Sequence, residues 1–156
     1  MSQPSPQTPD WSTIPRPEDD GAADHLTGAA LPDVTLPSTA GGTVSLSGLG
    51  GIAVLYLYPM TGRPDRALPE GWNDIPGARG CTPQSCAFRD HYAELQDLGA
   101  AHVFGISTQS PEEQAEAAGR LHLPFPLLSD EALALARAMD LPVMEVDGRP
   151  MLRRLT

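Results

Sequence analysis

The sequence predicts an α/β protein in which a mixed or mainly parallel sheet carries helices on its faces. Two continuous apolar runs, residues 52–58 and 101–107, are typical of strands buried on both faces. A stretch with helical period, residues 81–98, separates them, and further helical patterns follow. Strands that alternate with helices favour this class, whose functional sites gather at the carboxyl ends of the strands.

A chain of 156 residues is expected to form one domain. Residues 1–27 carry five prolines, an acidic cluster and few apolar side chains, so we predict a disordered tail there. The alternative is that Trp11 and Ile14 dock weakly on the body. The folded domain is then expected to span residues 28–156.

In the first half of that domain, the sequence predicts a hairpin followed by a buried strand and a long loop. Strand-like residues 34–36 and 43–46 flank a turn at residues 40–42. The first buried strand stops at Pro59. The segment 60–80, with three prolines and four glycines, shows no clear period, and loops of this length are usually functional or mobile.

The second half continues the alternation of helices and strands. Gly99 is a natural end for the helix over residues 81–98. Residues 110–113 read Ser-Pro-Glu-Glu, which predicts a helix that opens with a capping box and runs to about Leu121. The remaining predictions are a short strand at 125–128, a helix capped by residues 129–131 that continues to about Met139, and a hairpin that turns at Asp147-Gly148.

The charge excludes several classes of function. Twenty acidic residues face ten basic ones, all arginine, which gives a net charge of −10. A polyanion repels phosphate backbones and anionic lipids, so neither nucleic acid nor a membrane surface is an expected partner. No apolar run approaches the ~18–20 residues of a bilayer span, and the amino terminus lacks a signal-peptide pattern. We therefore expect a cytoplasmic protein.

The two cysteines, Cys81 and Cys86, are the candidate reactive groups. A secreted disulfide scaffold would use more cysteines and spread them further. Cys81 is predicted to open a helix, where free N–H groups and the dipole can lower the pKa of a thiol. Gly80 would let a peroxide approach, and Arg79 adds positive potential.

The spacing of the cysteines argues against a structural bridge. On an intact helix their Cα atoms would lie roughly 8–9 Å apart, whereas a disulfide needs less than ~7 Å. A cysteine that is first oxidised to sulfenic acid and resolved after local unfolding fits this spacing. Two alternatives stay open: inert cysteines, or a zinc site with His91, which would lack a ligand. His25, His102 and His122 are expected to be structural or unremarkable.

The segment 80–90, Gly-Cys-Thr-Pro-Gln-Ser-Cys-Ala-Phe-Arg-Asp, resembles the active-site helix of peroxiredoxins of the bacterioferritin-comigratory-protein or peroxiredoxin Q type. The segments around Leu57-Tyr58-Pro59, 104–108 and 125–130 are similar to that family in the same order. The resemblance covers about residues 30–156.

The resemblance implies a thioredoxin-like fold and reduction of hydrogen peroxide or alkyl hydroperoxides. Cys81 would be the peroxidatic cysteine and Cys86 the resolving one, in an intramolecular disulfide that thioredoxin or a similar dithiol reduces. No metal, haem or flavin would be needed. Phe88 and Tyr92 would wall the inner side of the pocket.

Two features depart from the family pattern. The family places a proline and then a threonine before the peroxidatic cysteine, the threonine three residues upstream, where this chain has Ala78. An insertion of roughly fifteen residues, about 62–78, would separate Pro59 and Thr61 from Cys81 while leaving them in those roles. It carries Arg63, Arg66 and Trp72, which would narrow or cover the site.

The second departure is at the carboxyl end. The family carries an arginine on a late strand that stabilises the thiolate and the peroxide, and Arg154 matches it, with Arg153 as the alternative. Relatives continue beyond the position of Thr156 with a strand and a helix. A chain shortened there would expose a sheet edge, which predicts either a less stable monomer or an edge-paired dimer.

Three functions are therefore compared. The first is an atypical two-cysteine peroxidase. The second is a peroxide sensor that oxidises once and passes its disulfide to a partner. The third is an inert thioredoxin-like binding module, in which Cys81→Ser would change nothing measurable.

Overall fold

The computed structural model describes residues 10–156, which form seven strands and four α-helices. The strands are β1 (Thr35–Pro37), β2 (Thr43–Ser45), β3 (Ile52–Leu57), β4 (Ala100–Ser107), β5 (Leu127–Ser129), β6 (Val143–Val146) and β7 (Arg149–Leu152). The helices are α1 (Cys81–Asp90), α2 (Tyr92–Asp97), α3 (Pro111–Arg120) and α4 (Ala134–Met139). None of the helices in this described part is long and apolar enough to cross a membrane.

Three parallel strands in the order β3-β4-β5 form the centre of the molecule. Single antiparallel bridges extend this sheet at both edges: Leu57 pairs with Leu155 beside β3, and Ser38 pairs with Leu128 beside β5. The predicted mixed sheet with flanking helices is confirmed.

Both predicted hairpins are present. Strands β1 and β2 pair antiparallel, as do β6 and β7. Asp147 and Gly148, at the turn of the second hairpin, have φ angles of 50° and 71°. That left-handed conformation is what an Asp-Gly hairpin turn requires.

Two helix predictions need correction. The single helix expected over residues 81–98 is divided at His91, where the backbone leaves the helical region (φ −103°, ψ 11°). Both halves keep the same apolar face, so the periodicity does not reveal the break. Helix α4 begins only at Ala134, because Leu133 adopts a left-handed conformation (φ 59°). The capping box at Ser110 is present as predicted.

The core lies on both faces of the sheet. Leu135 and Ala136 of α4 pack into the cluster on one face, together with Phe104 and Ile106 of β4. The other cluster joins Cys81 of α1 to side chains of the central strands and of α3. The candidate reactive thiol is therefore part of the core and does not project from it.

The segment after Pro59 is packed against the second hairpin. Trp72 lies in a 3-10 turn and is only 5% exposed, in contact with Ala78, Val146 and Met151. That residues 62–78 are an insertion relative to the family stays a prediction.

The predicted tail falls partly outside the described residues, since residues 1–9 are not described. From Asp10 onward the segment contains two 3-10 turns, and its Leu26 packs against the core. Asp20 forms an ion pair with Arg153 at 2.7 Å. The domain boundary near residue 27 stays a prediction.

Candidate active site

Cys81 is the first residue of α1 and is 3% exposed. Gly80 precedes it with a φ of 98°, a left-handed conformation that side chains other than glycine rarely adopt. An added Cβ there would also lie 3.3 Å from the ring of Trp11. The chain thus turns sharply into the helix at the reactive position.

The sulfur of Cys81 has two close polar neighbours. Arg154 Nη2 donates to Sγ at 3.1 Å, and Sγ is 3.5 Å from the carbonyl oxygen of Ala78, to which the thiol donates. Arg154 follows β7 and does not lie within the strand. Arg153, the alternative, pairs with Asp20 instead. Of the two arginines, Arg154 is the one that contacts the sulfur.

Arg154 also fastens the segment before the helix to the helix itself. Its Nη2 donates to the carbonyl oxygens of Gly77 at 3.2 Å and Arg79 at 2.9 Å, while Nη1 donates to the side chain of Gln84 in the first turn of α1. One guanidinium therefore sets the position of the sulfur and supplies a positive charge beside it.

Burial raises the pKa of the Cys81 thiol, against the sequence-based expectation that the helix start lowers it. The charge of Arg154 and the backbone N–H groups of Met60 and Cys81 act in the opposite direction, without offsetting the loss of hydration. The expectation considered the effect of the helix terminus on the thiol pKa but not the burial of the thiol, which is the larger effect. The reduced, closed conformation thus favours the protonated sulfur.

Cys86 lies on the same unbroken helix and is half-buried, and both thiols are free. Five helical positions place the two Cα atoms roughly 8–9 Å apart, too far for a disulfide. The first turns of α1 must therefore unwind before the two sulfurs can bond.

The inner face of α1 is held by aromatic packing. Phe88 stacks on Tyr56 with ring centroids 4.3 Å apart, and the Tyr56 hydroxyl donates to Ser85 Oγ at 3.1 Å. Tyr92 packs on Phe125. Phe88 and Tyr92 thus lie between the helices and the sheet, and neither lines the cavity at Cys81.

Gly105 of β4 makes this packing possible. An added Cβ at that position would lie 2.6 Å from the ring of Tyr56 and from a methyl group of Leu127. A side chain at this point would push the tyrosine toward the helix. The close approach explains why β4 carries a glycine in its centre.

Pro59 and Thr61 are both buried next to the site. The Thr61 hydroxyl is 3.2 Å from Gln109 Oε1, its hydrogen-bond partner, and makes no hydrogen bond to Cys81. The role expected for this hydroxyl, to hold the thiolate and polarise the peroxide, therefore stays a prediction that the conformation described does not reproduce. Pro59 lies two residues after the end of β3.

An open cavity of about 400 Å³ gives access to Cys81. Arg79, which the sequence suggested as a source of positive potential, lines it. Most of the remaining wall is apolar and comes from the segment after β3, from the start of α1 and from the amino-terminal segment: Ile14, Met60, Leu68, Trp72, Ala78 and Pro83. Arg63 and Arg66 line a neighbouring cavity, so Trp72 narrows the site and the two arginines do not.

Sequence reasoning missed Gln84, Met60 and Gln109. Gln84 could have been found, because it lies one turn after Cys81. The other two depend on contacts between distant segments. Within residues 10–156 no three histidine, cysteine or acidic side chains cluster closely enough to hold a metal. His91, weighed as a zinc ligand, is near Glu94 (3.4 Å).

Comparisons with known proteins identify the family of the chain. Residues 75–152 match the AhpC/TSA family. The chain is 37% identical to chloroplastic peroxiredoxin Q of Populus jackii over 116 residues, which cover 74% of this chain and 47% of the relative. It is 34% identical to peroxiredoxin Bcp of Bacillus subtilis over 114 residues, 72% of this chain and 62% of that one. The chain thus spans about half the length of the plant relatives.

Solved structures confirm the fold. Peroxidoxin BcpB of Mycobacterium tuberculosis superposes with a TM-score of 0.62 at 29% identity, over 81% of this chain and 73% of that one. Peroxiredoxin Q of Xanthomonas campestris superposes with a TM-score of 0.57 at 26% identity, over 80% of this chain and 72% of that one. These neighbours are thioredoxin-fold peroxiredoxins, and the chain belongs to the AhpC/TSA family.

Proposed function

We propose that this chain is a thiol-dependent peroxidase in which Cys81 is the peroxidatic and Cys86 the resolving cysteine. The observation that carries the proposal is the guanidinium of Arg154 at 3.1 Å from the sulfur of a cysteine that opens a helix and lines a cavity. A positive charge at this point stabilises both the thiolate and the negative charge that develops on the peroxide oxygen.

The first step is displacement at oxygen. The Cys81 thiolate attacks the terminal oxygen of a hydroperoxide, the O–O bond breaks, and the alcohol or water leaves after taking up a proton. The sulfur is thereby oxidised to sulfenic acid. In the reduced state the thiol proton points to the Ala78 carbonyl, so it must be lost before attack.

The second step forms the disulfide. After the first turns of α1 unwind and Cys86 has lost its proton, the Cys86 thiolate attacks the sulfenic sulfur; the S–O bond breaks and hydroxide leaves, taking up a proton to become water. A dithiol reductant of the thioredoxin type then returns both cysteines to the thiol state by exchange. Hydrogen peroxide and alkyl hydroperoxides are the proposed substrates, and the apolar wall of the cavity suits an alkyl group.

The test is intact-mass analysis after one equivalent of hydrogen peroxide, on the wild type, Cys81→Ser and Cys86→Ser. We expect the wild type to lose two hydrogens, Cys86→Ser to gain one oxygen, and Cys81→Ser to stay unchanged. Turnover with a thioredoxin system then completes the cycle. Oxidation of Cys81 no faster than that of a free thiol would refute the proposal.

A peroxide sensor is the second candidate, because burial raises the pKa of Cys81 and the Thr61 hydroxyl makes no hydrogen bond to its sulfur. Both features would slow turnover. A sensor oxidises once and passes its disulfide to a protein partner, whereas a peroxidase cycles with the reductant. An inert module would show no oxidation at Cys81 above background.

The cellular setting also remains proposed. We propose a cytoplasmic protein, although the plant relatives are named chloroplastic. A monomer or an edge-paired dimer, with no nucleic acid or membrane as partner, is expected from the charge and the sheet.

A further inference from the structure

Gln109 lies just beyond the carboxyl end of β4 and is 5% exposed. Its amide contacts Thr61 at three points. Oε1 accepts from the Thr61 backbone N–H at 3.0 Å and lies 3.2 Å from the Thr61 hydroxyl, and Nε2 donates to the Thr61 carbonyl oxygen at 3.3 Å. The glutamine amide offers this donor and acceptor side by side in one plane.

The residues on either side of Thr61 form part of the wall of the Cys81 cavity. Met60 and Gly62 line it, and the Met60 backbone N–H lowers the pKa of the Cys81 thiol. Arg120 of α3 donates to the Gly62 carbonyl oxygen at 2.9 Å. This part of the cavity wall is thus hydrogen-bonded to Gln109, which follows β4, and to α3.

Gln109 is itself held in place. Ser129 Oγ donates to the Gln109 carbonyl oxygen at 2.6 Å, and the Gln109 N–H donates to Ser107 Oγ at 3.4 Å. The backbone of Gln109 is therefore fixed between the ends of β4 and β5. Through its side chain, Gln109 can therefore hold the segment after β3 at a fixed position relative to the sheet.

We propose that Gln109 is a positioning residue for the peroxide reaction: its amide clamps the backbone of Thr61 and so keeps Met60 and Gly62 at fixed positions relative to the sulfur of Cys81. This inference rests on the proposed peroxidase function. Loss of the clamp leaves a buried N–H and carbonyl of Thr61 unpaired, so the segment moves to find other partners. A shift of about 1 Å at a reacting centre can reduce a rate by about a hundredfold.

The experiment compares two variants in a Cys86→Ser background, which stops the reaction at the sulfenic acid. Gln109→Met removes the clamp with little change of volume. Thr39→Val is the control: it removes the side-chain acceptor of the Leu127 backbone N–H (2.9 Å), and Thr39 makes no hydrogen bond to Gln109, to Ser107 or to the segment after β3. Stopped-flow oxidation by hydrogen peroxide and the pH profile of Cys81 alkylation are measured for each, with urea unfolding beside them.

We expect Gln109→Met to lower the oxidation rate constant about 10–100-fold and to shift the alkylation profile to higher pH. Thr39→Val should lower the unfolding midpoint and leave the oxidation rate constant and the alkylation profile unchanged. The inference is overturned if Gln109→Met reacts at the parental rate, or if both variants lose rate in proportion to stability. Failure of the parent itself to oxidise at Cys81 would instead refute the proposed function.

Discussion

Replacement of Arg154 by methionine tests the electrostatics of the site most directly. Nη2 lies 3.1 Å from Cys81 Sγ. Two unit charges at that distance interact by about 5 kcal/mol at an effective dielectric constant of about 20. Since about 1.4 kcal/mol is a factor of ten in an equilibrium, that interaction bounds the loss of thiolate at roughly 10³–10⁴-fold. The guanidinium is only part-buried, so solvent screens the interaction; we expect its removal to raise the pKa of Cys81 and to lower the thiolate population at neutral pH about a hundredfold.

The assay is the pH dependence of iodoacetamide alkylation in a Cys86→Ser background. Because the thiolate is the reacting form, the alkylation rate at neutral pH should fall by the same factor, about a hundredfold. Arg153→Met is the matched control, since Arg153 pairs with Asp20 and makes no contact with the sulfur. Unchanged alkylation in Arg154→Met, or an equal loss in Arg153→Met, would refute the reasoning.

Three further predictions concern stability. Gly105→Ala should lower the free energy of unfolding by about 1–3 kcal/mol in urea titrations, because the new methyl group overlaps Tyr56; an unchanged midpoint would contradict the close approach. Asp130→Ala should lower the free energy of unfolding by about 1–2 kcal/mol, because both carboxylate oxygens accept backbone N–H groups at the start of α4. A decrease of only a few tenths of a kcal/mol would mean that the cap is dispensable. The raised pKa of Cys81 means that the folded state keeps its proton above the pH of about 8.5 at which the unfolded thiol ionises. Unfolding free energy should therefore fall above that pH, by up to about 1.4 kcal/mol per unit, more steeply than in Cys81→Ser; parallel curves would exclude the linkage.

Local signals in the sequence predicted most of the elements. The apolar runs gave β3 and β4, the capping box at Ser110 gave the start of α3, and Asp147-Gly148 gave the last hairpin. Each of these depends on residues close together in the chain. The family resemblance added Arg154, which the structure brings to the sulfur of Cys81.

Long-range contacts could not be predicted in the same way. The partner of Thr61 is Gln109, and that pairing depends on the register of β3 against β4. The direction of the Cys81 pKa depends on how deeply the helix packs, which periodicity does not measure. The break between α1 and α2 at His91 also leaves no trace in the hydrophobic periodicity, since both helices present the same face to the core.

The anchoring of α1 sets up a kinetic competition. Its far end is fixed by Phe88 on Tyr56 and by Arg89 on the Leu121 carbonyl oxygen at 2.8 Å. Its near end has no side-chain cap and depends on Arg154. If Cys81 is oxidised in this conformation, the lifetime of the sulfenic acid equals the waiting time for the near end to open. A second peroxide that reacts within that interval would oxidise the sulfur to the irreversible sulfinic state. The stability of the Arg154 hydrogen bonds at the near end would therefore set the peroxide concentration at which the protein is inactivated.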